Sequence, residues 1–309
     1  MTPSKKKSAF LIFALILFLG QSDLLAMEIH AHRGGPSHDL GDSSLEAIRR
    51  SISQQVDYIE FDVQMTKDQK FIISHDSTFT EKKCDCVSFS YPQKEKYNIY
   101  EMTADEILSF VKKDNGKSFF SEFDDYLKNI NAISSRQKLS IELKYGEDNA
   151  PSPSRPLLVK KFMELLKKND LFDRVIVQSF DIGIHEEIRR IESQFSTRIK
   201  LVYLYRGDQH LSWDLISKLP FNRWPNWQRI LELHKKLQLD YFSPRFSLIT
   251  SDKLGFRKFL TLNKESSNPL KVVPWTINSE YELYEAKKLN VDGVLTDEID
   301  LAHQLYQKK

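Results

Sequence analysis

The chain has 309 residues, with 45 Lys and Arg against 43 Asp and Glu, a formal net charge of +2 and 40% hydrophobic residues. That is enough apolar material for a large core, and the near-neutral balance gives no reason to expect a nucleic-acid partner. No block of like charge is long enough to act as an interaction tail.

The start of the chain reads apart from the rest. Lys5-Lys6-Lys7 precedes an apolar run from Ala9 to Leu19, and Gly20-Gln21-Ser22 follows. A basic start, a short apolar run and small residues make a secretory signal peptide. The run is short for a bilayer span, and no cysteine ends it to carry a lipid. The reading is a signal over 1–26 and a working domain over 27–309, exported to the periplasm or secreted, with no stable membrane insertion after cleavage. An uncleaved membrane anchor is the alternative.

The first strand of the domain is predicted over Glu28-Ile29-His30-Ala31, running into His32-Arg33-Gly34-Gly35. Ser43 with Glu46 three residues on predicts a capping box, and Leu45, Ile48, Ile52 and Val56 stripe the helix after it. Next comes Tyr58-Ile59-Glu60-Phe61-Asp62-Val63-Gln64, in which Glu60 and Asp62 share one face and Ile59, Phe61 and Val63 the other. Two acids on one face of an apolar strand are costly to bury without a cation, and suit a hard, oxygen-seeking metal. Phe71-Ile72-Ile73-Ser74-His75-Asp76 follows so soon that a parallel crossover cannot fit. A hairpin turn at Thr66-Lys67-Asp68-Gln69 is predicted instead, bringing His75 roughly opposite Glu60.

Residues 77–101 read as a long, irregular loop holding Cys84 and Cys86, the only cysteines. The pair is too few for a soft-metal site, and a ring so small is strained. Helices are predicted from Thr103 to about Lys113 and from Glu122 to Ile130. Strands then alternate with helices to the end of the chain: Leu139 to Lys144, Val175 to Asp181, Lys200 to Tyr205, Tyr241 to Pro244, Val272 to Ile277 and Gly293 to Asp297. The helices between them are Leu157 to Lys168, the stripe Ile184, Ile188, Ile191 and Phe195, the segment around Trp227 to Leu237, and one capped by Ser279 and Glu282.

Alternation without a linker or a composition break predicts an α/β fold, a (β/α)8 TIM barrel that is irregular around the second and third strands. Nine candidate strands are one too many for eight. Either the second and third are arms of one hairpin, or Tyr241 to Pro244 is loop. A doubly wound sheet would alternate too, but no Gly-x-Gly-x-x-Gly turn follows the first strand. His32, Arg33, Glu60, Asp62, Glu142, Lys144, Trp275 and Asp297 stand at or near the C-terminal ends of separate strands, where barrels build their sites.

In one mouth these residues make a coherent set. Glu60, Asp62 and Glu142 are three carboxylates for one divalent ion, Ca2+ or Mg2+. Arg33 and Lys144 offer positive charge to a phosphate, and Trp275 is a candidate substrate contact. His32 and His75 are imidazoles suited to moving protons on either side of phosphorus. Each has a duller reading as a packed or solvated group, which His30, His185 and His234 are assigned.

The chain also resembles the glycerophosphodiester phosphodiesterases. The matching pieces are His32-Arg33-Gly34, Ile59-Glu60-Phe61-Asp62-Val63, Thr66-Lys67-Asp68, His75-Asp76, Glu142-Leu143-Lys144, Gln178-Ser179-Phe180-Asp181, Trp275-Thr276-Ile277-Asn278 and Asp292-Gly293-Val294-Leu295-Thr296-Asp297. The resemblance implies a TIM-barrel phosphodiesterase acting on a small-molecule glycerophosphodiester and releasing glycerol 3-phosphate and an alcohol. It implies metal ligation by Glu60, Asp62 and Glu142, acid–base work by His32 and His75, and phosphate contact by Arg33 and Lys144. One departure is plain: where the family carries Pro-Glu-Asn-Thr, this chain has Gly41-Asp42-Ser43-Ser44, which puts the role of Asp42 in question. The cysteine-bearing loop is faintly similar to that of the related phospholipase D-like toxins. Two other readings therefore stay open: a secreted enzyme acting on intact (lyso)phospholipid or sphingomyelin, and a non-catalytic phosphodiester- or protein-binding barrel.

Overall fold

The structure is a computed structural model that describes residues 27–37, 40–146, 151–207 and 225–306. The assigned signal segment, 1–26, lies outside the described residues. Eight parallel strands form the barrel: β1 (Glu28–Ala31), β2 (Tyr58–Met65), β3 (Lys138–Leu143), β4 (Val175–Ser179), β5 (Lys200–Tyr205), β6 (Tyr241–Pro244), β7 (Lys271–Val272) and β8 (Gly293–Thr296). They are laddered in sequence from β1 to β7, and β8 pairs with β1. The last seam is closed by backbone bonds from Asp292 to Val272, Leu295 to Pro274 and Ile277 to Leu295, at 2.9, 3.0 and 3.0 Å. Tyr241 to Pro244 is thus a barrel strand, and the surplus ninth candidate is Phe71–Ile73. It pairs antiparallel with β2 about the predicted turn, Val63 opposite Ile73 and Met65 opposite Phe71.

The strands are buried on both faces, as parallel strands under a ring of helices must be. Outward residues such as Ile59, Phe61 and Val63 pack into the main core under the helices. Phe61 meets the Tyr126 ring edge-on at 5.1 Å, on the helix Phe123–Ile133. Inward residues Tyr58, Ile176, Val202, Tyr241, Val273 and Leu295 fill the barrel's lower end. Beneath them Glu28 pairs with His30 at 3.1 Å and with Lys271, and the Tyr58 and Tyr241 hydroxyls lie 3.4 Å apart. Burial works against the Glu28 charge, but His30 and Lys271 overcome it and hold the carboxyl down at about 2.

Three local expectations are corrected. The helix Leu45–Ser53 is capped by Ser44, whose hydroxyl accepts from the Ala47 N–H, and not by Ser43. Ser43 stands one residue outside the cap with φ 53°, in the left-handed region. The helix from Ala104 has its Thr103–Glu106 capping box but ends at Leu108, because Val111–Lys112 leaves it to pair with Cys86–Val87. Residues 77–101 are not an irregular loop. Thr78–Phe79 pairs with Tyr97–Asn98, and a short helix, Glu81–Cys84, lies between. This insertion has a core of its own, in which Phe79 meets Tyr97, Phe110 and Phe120 at 5.0, 5.0 and 4.8 Å. A disulfide joins Cys84 to Cys86 inside it. Among the described residues no helix is long and apolar enough to cross a membrane.

Candidate active site

Register builds the acidic centre. Across the β2–β3 ladder Asp62 stands opposite Glu142, and across β3–β4 Glu142 stands opposite Gln178. Glu60 lies two residues before Asp62, so the pleat puts both carboxylates on the inner face. All three acids are buried, and one oxygen from each falls within 4.8 Å of the others.

The groups around them are placed by the chain's first turn. After β1, Arg33 adopts φ 47°, a left-handed conformation that costs a non-glycine residue about 1–3 kcal/mol. The turn aims the Arg33 backbone N–H at Glu60 Oε2, 2.7 Å away. Gly35 continues it at φ 74°, and a Cβ there would collide with Ile299 and the Ser51 hydroxyl. The Arg33 guanidinium donates to Asp42 at 2.8 Å and its Nε stands 3.9 Å from Asp62. That Nε is buried and makes no hydrogen bond. Lys144 Nζ sits between Asp62 and Glu142, at 3.2 and 2.8 Å. Gln178 donates to Glu60 Oε1 at 2.9 Å.

Two cations against three carboxylates leave the centre short of positive charge. Burial first, and then the Asp62 charge, push Glu60 up to about 7. Burial would raise Asp62 as well, but Lys144, with His75 and Arg33, pulls it below the usual range. A hard divalent ion answers this imbalance, and an all-oxygen donor set is the one Ca2+ and Mg2+ take. The residues fit such an ion.

Both imidazoles line the same cavity, of about 950 Å3, with Glu60, Glu142, Lys144 and Arg33. His32 follows β1 directly. Its Nδ1 bonds Asp297 Oδ1 at 2.7 Å, and Asn278 holds that aspartate through Oδ2 at 2.6 Å and through its N–H at 2.9 Å. His75 follows the hairpin arm. Its Nδ1 bonds Asp76 Oδ1 at 2.8 Å, and Asp76 is held in turn by Lys83 of the insertion. Trp275 also lines the cavity, its Nε1 donating to Ser243 O at 2.9 Å and its ring edge-on to Phe180 at 5.3 Å. Asp42 is outside the acidic cluster found among the described residues and serves Arg33 instead.

Sequence reasoning gave no role to Gln178, Asn278 or Asp76. A polar residue in an inward strand position, and polar residues beside candidate histidines, were the signals available for them. His30 and His185 are packed, hydrogen-bonded core groups; His185 bonds Asp181 O and Val202 O at 3.1 and 3.0 Å.

An acid-lined mouth with paired imidazoles, at the C-terminal face of a closed (β/α)8 barrel, defines the class: a barrel enzyme with its site among the strand-end loops. The chain belongs to the glycerophosphoryl diester phosphodiesterase family, whose sequence pattern matches residues 32–301. It is 24% identical over 287 residues to a glycerophosphodiester phosphodiesterase of Caldanaerobacter subterraneus, spanning 90% of this chain and 97% of that one. It is 23% identical to a lysophospholipase D of Mus musculus, over 86% and 82% of the two chains. Among solved structures, a putative glycerophosphoryl diester phosphodiesterase from Silicibacter pomeroyi superposes with a TM-score of 0.69 at 17% identity, covering 91% of this chain and 93% of that one. An Oleispira antarctica phosphodiesterase, solved in complex with the product sn-glycerol-3-phosphate, gives 0.65 at 16% identity over 91% and 97%.

Proposed function

We propose that the protein hydrolyses glycerophosphodiesters to glycerol 3-phosphate and an alcohol, with one divalent ion, Ca2+ or Mg2+, held by Glu60, Asp62 and Glu142. The observation that carries this reading is the convergence of both imidazoles and the acidic cluster on one cavity. When bound, the ion supplies Lewis-acid polarisation of a phosphate oxygen. Arg33 Nε, buried without a partner, is the donor a second phosphate oxygen completes. Lys144 shares the charge that grows on phosphorus. With Nδ1 of each ring engaged by an aspartate, Nε2 is left for proton exchange. One ring takes the proton of the attacking hydroxyl or water, and the other gives a proton to the departing alkoxide. Over the full cycle the P–O bond to the alcohol breaks, water adds OH to phosphorus, and its second proton leaves on the alcohol.

The test is release of glycerol 3-phosphate from glycerophosphoglycerol before and after thorough chelation, followed by return of Ca2+ or Mg2+ singly. Activity should vanish and come back with one of the ions. Full activity after chelation would remove the metal from the reading.

A second reading, hydrolysis of a lysophospholipid or sphingomyelin, has support of its own. The murine relative bears the name lysophospholipase D, and Phe89, at the tip of the disulfide-bearing insertion, is 91% exposed. Vesicles of lysophosphatidylcholine or sphingomyelin that yield no product would dispose of it. Export completes the proposal, supported by the basic and apolar pattern of residues 1–26. Terminal sequencing of the protein recovered outside the cytoplasm should find that segment gone.

A further inference from the structure

The cavity has a second limb that the proposed reaction leaves without a task. It runs along the segments after β3, β4 and β5, past Tyr145, Arg155, Phe180, Asp181, Glu186 and Arg206. This wall is charged and aromatic, yet its charges are matched within the protein. Arg155 grips Asp181 through two bonds of 2.7 and 2.8 Å, and lies 4.5 Å from the centre of the Tyr145 ring. Glu186 pairs with Lys236 at 2.6 Å. Arg206 lies 5.4 Å from the centre of the Phe180 ring, and Lys144 approaches the same ring at 6.0 Å.

A quaternary ammonium is held by an open aromatic face or an unmatched carboxylate. In this limb Tyr145 and Phe180 each already carry a protein cation, and Asp181 and Glu186 are each paired. A further positive charge would also meet Arg155, Arg206 and Lys144 in a confined space, where like-charge repulsion is strong. Hydroxyl groups meet the reverse situation. Guanidinium donors and carboxylate acceptors stand side by side along the wall, and a hydroxyl can use either without bringing a charge to be neutralised.

We propose that this limb holds the departing alcohol and selects hydroxyl-rich, uncharged alcohols, such as glycerol or a cyclitol, over choline, with Arg206 setting the preference. The inference rests on the hydrolysis proposed above. Trp275, on the β7 side of the cavity, then serves the glycerol half that all such diesters share. Arg206 acts by covering Phe180 and by adding its own charge, so its removal opens a ring to a cation.

The experiment measures kcat/KM of the full chain, supplied with its divalent ion, on glycerophosphoinositol, glycerophosphoglycerol and glycerophosphocholine. The inositol and glycerol esters should exceed the choline ester by about tenfold or more. In Arg206→Ala that ratio should shrink to about threefold or less, chiefly through a gain on the choline ester. Arg206→Gln serves as a second variant should the alanine form fail to fold. A choline ester turned over as well as the others by the native chain overturns the inference alone, as does an unchanged ratio in an active Arg206 variant. No turnover of any of the three overturns the hydrolytic reading, and this inference falls with it.

Discussion

His32 follows a barrel strand directly, and its Nδ1 is fixed by Asp297, which ends the neighbouring strand β8 of the closed ladder. His75 stands past the end of a three-residue hairpin arm, and the group that fixes it, Asp76, is anchored by Lys83 of the insertion. The exposures differ accordingly, 18% for the His32 side chain and 41% for His75. One half of the proposed proton-handling pair thus belongs to the barrel's cooperative core. The other depends on a separate small core around Phe79, Tyr97 and Phe110. Local stability need not be uniform across a structure, and the element with fewer buried contacts opens first. The comparison therefore assigns rigidity to one imidazole and adjustability to the other.

The strongest way to break the comparison is to remove each ring. His32→Ala and His75→Ala should each lower kcat by about 10²–10⁴-fold, while calorimetric affinity for the divalent ion stays near the native value. A His75→Ala protein with native kcat would show that the insertion side carries no chemistry. Phe79→Ala comes next. Removing a ring that touches three others should cost the insertion about 3–5 kcal/mol. Hydrogen exchange should then quicken over residues 78–122 with the barrel strands still protected, and kcat should fall with the ion affinity kept. Uniform loss of protection would mean that the two cores fold as one.

The smallest expected effect sharpens the barrel side. Burial lowers the His32 pKa, but the Asp297 bond and then the Glu60 charge reverse this, leaving it above its ordinary 6.5. Burial raises Asp297, but His32 brings it below its ordinary 3.8. The His32 share of stability is complete below 6.5 and is lost as pH rises through its raised folded value. The Asp297 share is present above 3.8 and is lost as pH falls through its lowered folded value. The stability gap between the native protein and Asp297→Asn should therefore be widest between 3.8 and 6.5 and narrow on both sides. Urea unfolding across that range measures it, and a gap independent of pH would rule out the ion pair.

The barrel was legible in the chain because β2, β3 and β5 read as short apolar runs separated by striped helices, a pattern few other folds produce. The convergence of Glu60, Asp62 and Glu142 was legible for a related reason. Each acid interrupts an apolar strand near its C-terminal end, the end at which a barrel opens. The insertion was not legible. Its core residues Phe79, Tyr97, Ile99, Phe110 and Phe120 come from two-residue strands and turns, so no period of 2 or 3.6 develops. Ser43 and Ser44 defeat sequence reading at a finer scale. Both are good caps, and only the backbone turn through Arg33 decides that Ser44 takes the position.

The packed tyrosines and the Glu28–Lys271 contact beneath the acidic centre have a consequence for traffic. A cylinder stoppered at its base has a single doorway, so reactant and both products must share it. The phosphate, gripped deepest, can depart only after the alcohol has cleared the way. Residues that tune how quickly the alcohol leaves would then govern turnover as much as those that break the bond.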